Sequence, residues 1–163
     1  MLRVITVGLL VGLFSACVMV PTSSVDQRPV DVIELTIDGA HQAMRERRIS
    51  CEQLTRRYLR RIETYDQPTH LNAIIMTNPR AIDRARSLDR QFGITGRMKR
   101  LHCIPIILKD NFDTADMPTE AGSIAMRGAN PPDDAFMVKR LRAQDAIVIA
   151  KSNMGEWAFS PYE

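Results

Sequence analysis

The chain has 163 residues, which suits one domain or a part of one. Its content of 45% hydrophobic and 25% charged residues is ordinary for a soluble globular protein. The net charge is only +3 and the predicted strands carry no interleaved basic and aromatic residues, so nucleic acid is a poor candidate for a partner.

Residues 1–16 have the layout of a secretory signal peptide. Arg3 precedes an apolar run over residues 4–14, and small residues follow at positions 15 and 16. An uncleaved anchor is the alternative, because the apolar stretch to Val20 is at the short limit for a membrane span. In both cases we expect export, to the periplasm or to the membrane of a bacterium.

The residues Phe-Ser-Ala-Cys at positions 14–17 resemble a bacterial lipoprotein box, in which the cysteine becomes the lipidated first residue. Cys17 is therefore the candidate lipidation site, and its lipid is the only membrane contact that we expect besides the signal itself. Residues 17–30 are predicted to be a linker, because the stretch from Pro21 to Pro29 is polar and lacks periodicity. The folded domain is predicted for residues 31–163.

Two helices are predicted at the start of the domain. Thr36 is placed to cap the first, and Ser50 forms a capping box with Gln53 at the start of the second. The second helix carries four arginines, at positions 56, 57, 60 and 61. A solvated helix face, with Glu52 four residues before Arg56, is favoured over an anion or lipid-headgroup patch.

A strand over residues 71–77 and then a helix opened by Asn78 and Pro79 are predicted next. Gly93 and Gly96 are expected to end that helix. The following apolar run, over residues 104–108, predicts a buried central strand.

A second apolar run, over residues 146–150, follows a helix that is predicted to begin at Asp133 and Asp134. Strand, helix and strand in this order form a right-handed crossover with parallel strands. Lys109 and Lys151 follow the two runs, and ligands of α/β sheets bind at the carboxyl ends of parallel strands. That edge is therefore the candidate site, unless Lys109 turns outward and pairs loosely with Asp110.

Several chemistries are disfavoured. The sequence has neither a GxGxxG fingerprint nor a P-loop, and its histidines, at positions 41, 70 and 102, lack metal-ligand spacing. No metal or cofactor is therefore expected. Cys51 and Cys103 could form a periplasmic disulfide, but two separate, small buried residues are the preferred interpretation.

Two stretches resemble the amidase signature family. They are IPIILKDNFDTADMPTEAGS, beginning at Ile104, and PDDAFMVKRLRAQDAIVIAKSNMGEWAFSPY, beginning at Pro132. The segment SCEQLTRRYLRRIETYD, from Ser50, resembles the second helix of that family. The resemblance extends from about residue 31 to the end. It implies the amino-terminal part of an α/β/α fold around a mixed β-sheet, which we expect to be incomplete in this chain.

The resemblance implies hydrolysis of an amide bond in a small-molecule substrate by a serine, a second serine with a cis peptide bond, and a lysine. Lys109 is by this resemblance the catalytic lysine. A lysine acts as a base only when neutral, so we expect Lys109 to be buried among apolar residues. Asp110, Asn111 and Asp113 are expected to hold the surrounding loop through hydrogen bonds from side chain to backbone.

The sequence also departs from the family. The serine-rich loop that carries the nucleophile does not occur in these 163 residues, and Ser123, Ser152 and Ser160 do not occupy the position of the nucleophile. Cys103 and Asp145 stand where the family usually has glycine, so Asp145 is expected to adopt a left-handed conformation. Two hypotheses follow: an amide hydrolase represented by a fragment, or a truncated, non-catalytic exported module.

Overall fold

Residues 29–159 are described by the computed structural model and form four α-helices, two short 3₁₀-helices and a three-stranded sheet. The helices are α1 (Ile37–Arg45), α2 (Cys51–Tyr65), α3 (Ala81–Thr95) and α4 (Phe136–Ala143), and the strands are β1 (Ile74–Thr77), β2 (Pro105–Lys109) and β3 (Ile147–Ser152). Within residues 29–159, no helix combines the length and apolar character needed to cross a membrane. The predicted signal peptide and Cys17 lie outside the described residues.

The predicted caps of the first two helices are confirmed. The hydroxyl of Thr36 accepts a hydrogen bond from the amide of Gly39 at 3.0 Å. Ser50 and Gln53 exchange the two hydrogen bonds of a capping box. The carboxylate of Asp89 in α3 accepts from the first two amides of α2, at 2.7 and 2.9 Å, so α2 begins against α3.

The arginine-bearing side of α2 is tied to nearby groups. Arg56 pairs with Glu52 at 2.7 Å, as the spacing predicts. Arg57 donates to the carbonyl of Val30, which is itself buried in the core. The chain is therefore packed against α2 from Val30 onward.

Two predicted helix boundaries need correction. The prediction that Gly96 ends α3 is confirmed, and it has a φ of 64°, but Gly93 lies inside the helix. α4 begins at Phe136 and not at Asp133 or Asp134. The carboxylate of Asp134 instead accepts a hydrogen bond from the amide of Ala115 at 2.9 Å, which fastens the preceding loop before the helix starts.

The sheet has the order β1-β3-β2, so β3 is central in the described sheet and the prediction that residues 104–108 form the central strand is wrong. The predicted parallel pairing of β2 with β3 is confirmed, while β1 is antiparallel to β3. β1 begins at Ile74 rather than at residue 71. His70 and Asn72 have positive φ, at 60° and 49°, which is incompatible with an extended strand there.

Cys51 and Cys103 form a disulfide, so the preferred interpretation of two unpaired residues is wrong. Cys51 is the first residue of α2 and Cys103 lies just before β2, and their Cα atoms are 5.3 Å apart. Both residues are fully buried in the larger core cluster. The bridge joins the helical layer directly to the start of β2.

The two residues that replace family glycines are neighbours. Cys103 has a φ of 62° and Asp145 a φ of 65°, which confirms the left-handed conformation expected of Asp145. The amide of Cys103 donates to the carbonyl of Asp145 at 3.0 Å. The buried carboxylate of Asp145 lies 3.0 Å from Arg84, 3.4 Å from Lys99 and 3.6 Å from His102. These contacts of Asp145 fix the segment that precedes β2.

Candidate active site

Both predicted lysines lie at the carboxyl edge of the parallel pair. Lys109 is the last residue of β2 and is paired in register with Ser152, while Lys151 is paired with Leu108. Parallel pairing brings the two strand ends together, as the sequence predicts.

A β-bulge in β3 determines where Lys151 points. Ile106 pairs with Val148 but Ile107 pairs with Ala150, so Ile149 is an extra residue in β3. Strict alternation would put Val148 and Lys151 on opposite faces of the sheet. The bulge instead brings Lys151 to the face of Val148, in register with Leu108, which packs in the smaller core cluster with Val148.

The ammonium of Lys151 is enclosed by the loop that follows β2. Its side chain has no exposed surface, and Nζ donates to the carbonyl of Phe112 and to Oγ1 of Thr119, each at 2.8 Å. The carboxylate of Asp110 lies 3.7 Å away. Burial holds the pKa of Lys151 below its ordinary value, although the Asp110 carboxylate opposes the shift.

Asp110 anchors the loop as expected. Its carboxylate accepts a hydrogen bond from the amide of Glu120 at 3.2 Å, and its carbonyl accepts from the amide of Ala121 at 3.1 Å. Asn111 and Asp113 are exposed, and within residues 29–159 their side chains make no such bond to the backbone. The supporting role expected of those two side chains is therefore not seen.

Lys109 is exposed, contrary to the expectation that it is buried among apolar residues. Its carbonyl accepts a hydrogen bond from the amide of Phe112 at 3.0 Å, which turns the chain sharply after β2. The buried lysine at this edge is Lys151. Lys109 is the exposed lysine at this edge.

A cleft of about 460 Å³ adjoins the loop, with Asp110, Ser123 and Asn153 among its lining residues. Ser123 is buried and donates its hydroxyl proton to Glu156 at 2.6 Å. Gly122 has a φ of 68°, and a Cβ added there would lie 2.7 Å from the carbonyl oxygen of Met154. Only glycine fits this close approach, so the loop after β2 and the segment after β3 are packed together beside the cleft.

Parallel strands, a connecting helix and lysines at the shared strand ends define an α/β protein with its candidate site at the carboxyl edge of the sheet. Comparison with known proteins assigns the family. The Amidase family model matches residues 53–163, and the chain belongs to this family, as the sequence motifs predict.

Individual relatives agree with this assignment. A probable amidase of Arabidopsis thaliana is 38% identical over 128 residues, which cover 77% of this chain and 25% of the relative. One subunit of the glutamyl-tRNA(Gln) amidotransferase of Streptomyces coelicolor is 33% identical over 128 residues, or 78% of this chain and 26% of the relative.

Among solved structures, the native peptide amidase of Stenotrophomonas maltophilia superimposes with a TM-score of 0.71 at 40% identity, over 76% of this chain and 26% of that one. The chain thus spans about a quarter of the length of its relatives, and its structure is a partial amidase fold.

The enclosure of Lys151 and the role of Thr119 were not predicted from the sequence. A regular strand was expected over residues 146–150, and no residue in that run indicates the bulge at Ile149. The one available signal was Asp110 beside an apolar strand, since a buried carboxylate requires a partner.

Proposed function

We propose that this chain supplies the base, Lys109, for hydrolysis of an amide bond in a small-molecule substrate. The observation that carries the proposal is the position of Lys109 in an amidase-family fold. Its amine is exposed at the carboxyl edge of β2, directly before a loop that is anchored through Asp110. Lys151 is the alternative base, but its Nζ is fully enclosed and committed to acceptors of that loop.

In the proposed reaction, parts of the amidase fold that this partial fold lacks would cover Lys109 and so favour its neutral form. The neutral amine would then accept a proton from one serine hydroxyl. That serine in turn takes the proton of the serine that attacks the amide carbonyl. Backbone donors of the serine loop would stabilise the oxyanion of the tetrahedral intermediate. Both serines belong to the family motif that residues 1–163 do not contain, and no cofactor takes part.

The second candidate is a non-catalytic exported module. This module would keep the proposed base of residues 1–163 without a serine-rich loop. In this case the exposed lysine would have no nucleophile to activate.

We also propose that the protein is exported and held at the membrane by lipid on Cys17. The Cys51–Cys103 disulfide supports export, because disulfides persist in the periplasm and are rare in the cytosol of mesophiles. This support is independent of the signal-like pattern of residues 1–16.

The DNA that follows codon 163 tests the choice between the two candidates. An in-frame continuation that encodes the serine loop favours the hydrolase, and a stop codon favours the module. The purified 163-residue chain should not hydrolyse aryl amides or esters, whereas the extended product should. Turnover by the 163-residue chain that is lost in Lys109→Ala would contradict the need for the serine loop.

A further inference from the structure

The loop between β2 and the cleft encloses a charged group that the proposed mechanism does not use. Lys151 has no exposed surface, and Asp110 and Thr119 beside it are also buried. A buried lysine is costly, because its ammonium loses the hydration that it has in water. The cost is tolerated here because the loop turns its polar groups inward.

The inward-facing groups match the three donors of an ammonium. Two of its hydrogen bonds go to the carbonyl of Phe112 and to Oγ1 of Thr119, and Thr119 donates its own proton to the same carbonyl at 3.2 Å. The third side faces Oδ1 of Asp110, which has no hydrogen-bond partner among the described residues. The ammonium is therefore the group around which this loop closes.

The loop is connected to Lys109 by a short series of hydrogen bonds. Nζ of Lys151 donates a hydrogen bond to the carbonyl of Phe112, and the amide of Phe112 donates one to the carbonyl of Lys109 at 3.0 Å. Asp110, the residue that follows Lys109, faces the ammonium and donates its amide to Ser152 of β3 at 3.2 Å. The backbone on the loop side of Lys109 is thus fixed by groups that converge on Lys151.

We propose that Lys151 is a positioning residue for Lys109: its buried ammonium closes the loop from Asp110 to Thr119 and so fixes the direction in which the Lys109 amine leaves the end of β2. This role rests on the proposed function of Lys109. Lys151 does not itself touch the substrate, because all of its surface is covered by the loop.

The reactivity of each lysine amine tests the proposal without requiring catalysis. The chain has four lysines, at positions 99, 109, 139 and 151, and cleavage at arginine places each in a separate peptide. The full chain is treated with limiting acetic anhydride over a pH series, unfolded, fully acetylated with the deuterated reagent and cleaved. The isotope ratio then gives the rate and apparent pKa of each amine. Lys139, an exposed residue paired loosely with Asp133, serves as the internal standard.

In the wild-type chain, Lys151 should react at least about tenfold more slowly than Lys139, because its amine reacts only when the loop opens. In Lys151→Met, the rate of Lys109 relative to Lys139 should change by about threefold or more, as expected for residues coupled through shared contacts. Lys139→Met, which removes an exposed lysine on α4, is the matched control; with rates referred to Lys99 in that variant, it should leave the profile of Lys109 unchanged.

Two further variants separate positioning from folding. Thr119→Val keeps the shape of the residue but removes one acceptor of the Lys151 ammonium. It should therefore change the acetylation rate of Lys109 in the same direction as Lys151→Met, but by a smaller amount. Lys151→Met combined with Asp110→Asn removes both buried charges, and should regain thermal stability relative to Lys151→Met while the reactivity of Lys109 stays altered.

An unchanged Lys109 profile in the folded variants would overturn the proposal. Labelling of Lys151 as fast as that of Lys139 would also overturn it, because the ammonium would then be accessible. If the extended product that carries the serine loop does not hydrolyse amides but these labelling results hold, the proposed function is wrong and the positioning of Lys109 by Lys151 stands. If hydrolysis depends on Lys109 but the acetylation rate of Lys109 is the same in wild type and in Lys151→Met, only the positioning role of Lys151 is wrong.

Discussion

The Cys51–Cys103 disulfide should contribute a large part of the stability of this chain. The bridge closes a loop over a sequence separation of 52 residues, and the chain-entropy estimate for such a loop is about 4 kcal/mol at 25 °C. Because domains of this kind are stable by only about 5–15 kcal/mol, removal of the bridge should bring the protein close to unfolding.

The conformation of Cys103 provides a second, smaller effect to measure. A left-handed φ costs an L-residue about 1–2 kcal/mol. Glycine would avoid most of this conformational cost, but it would lose about 0.5–1 kcal/mol of stability through its greater backbone entropy in the unfolded chain. Cys103, at a φ of 62°, therefore accepts a cost of about 1 kcal/mol that the disulfide outweighs. This balance explains how a cysteine can occupy a position suited to glycine.

Urea unfolding followed by far-ultraviolet circular dichroism tests both magnitudes. The variant Cys51→Ala/Cys103→Ala should lose about 4 kcal/mol, and Cys51→Ala/Cys103→Gly should recover about 1 kcal/mol of that loss. Cys17→Ala is the matched cysteine control and should leave the free energy of unfolding unchanged. A double alanine variant within about 1 kcal/mol of wild type would refute the loop-closure reasoning.

Three further predictions concern the helix cap, the pH dependence and the membrane anchor. Ser50→Ala removes one side of the capping box and should cost about 1 kcal/mol in urea unfolding, whereas Ser87→Ala in the middle of α3 should not. Burial holds the pKa of His102 below its ordinary value of 6.5, so stability is full above that pH and falls as the pH decreases below it, because the unfolded chain takes up the proton first. His102→Gln should flatten the fall in urea midpoint between pH 7.5 and pH 5, and an unchanged slope, or an equal flattening in His70→Gln, would contradict this. Cys17→Ala should abolish incorporation of labelled fatty acid and release the protein from membranes; unchanged retention would point to an uncleaved helix.

The parts of the fold that follow from local chemistry were predictable from the sequence. Thr36 and Ser50 begin their helices because their hydroxyls accept from amides of the first turn, and that pattern is visible in the residues themselves. The parallel pairing of β2 and β3 followed from an apolar strand on each side of a helix. Both lysines were therefore placed at the correct edge of the sheet.

The details that depend on contacts between distant segments were not predictable in the same way. The bulge at Ile149 reverses the face of Lys151, and no residue type at that position indicates it. The pairing of Cys51 with Cys103 depends on how α2 packs against the start of β2. Asp134 looked like a first-turn residue but is used to hold the amide of Ala115. In each case tertiary contacts determined the outcome.

The central claim, that Lys109 is the base, is tested most directly by the kcat/KM for a p-nitroanilide in a protein that joins residues 1–163 to a serine loop. That protein is the extended product of the gene or, failing that, the Stenotrophomonas maltophilia peptide amidase with its matching quarter replaced by residues 31–159. Lys109→Ala should lower kcat/KM by about 10³-fold, within the range that a general base contributes, while Lys139→Ala leaves it unchanged. A decrease of less than about tenfold in Lys109→Ala would contradict the account, since a base in the reaction contributes at least about 10²-fold.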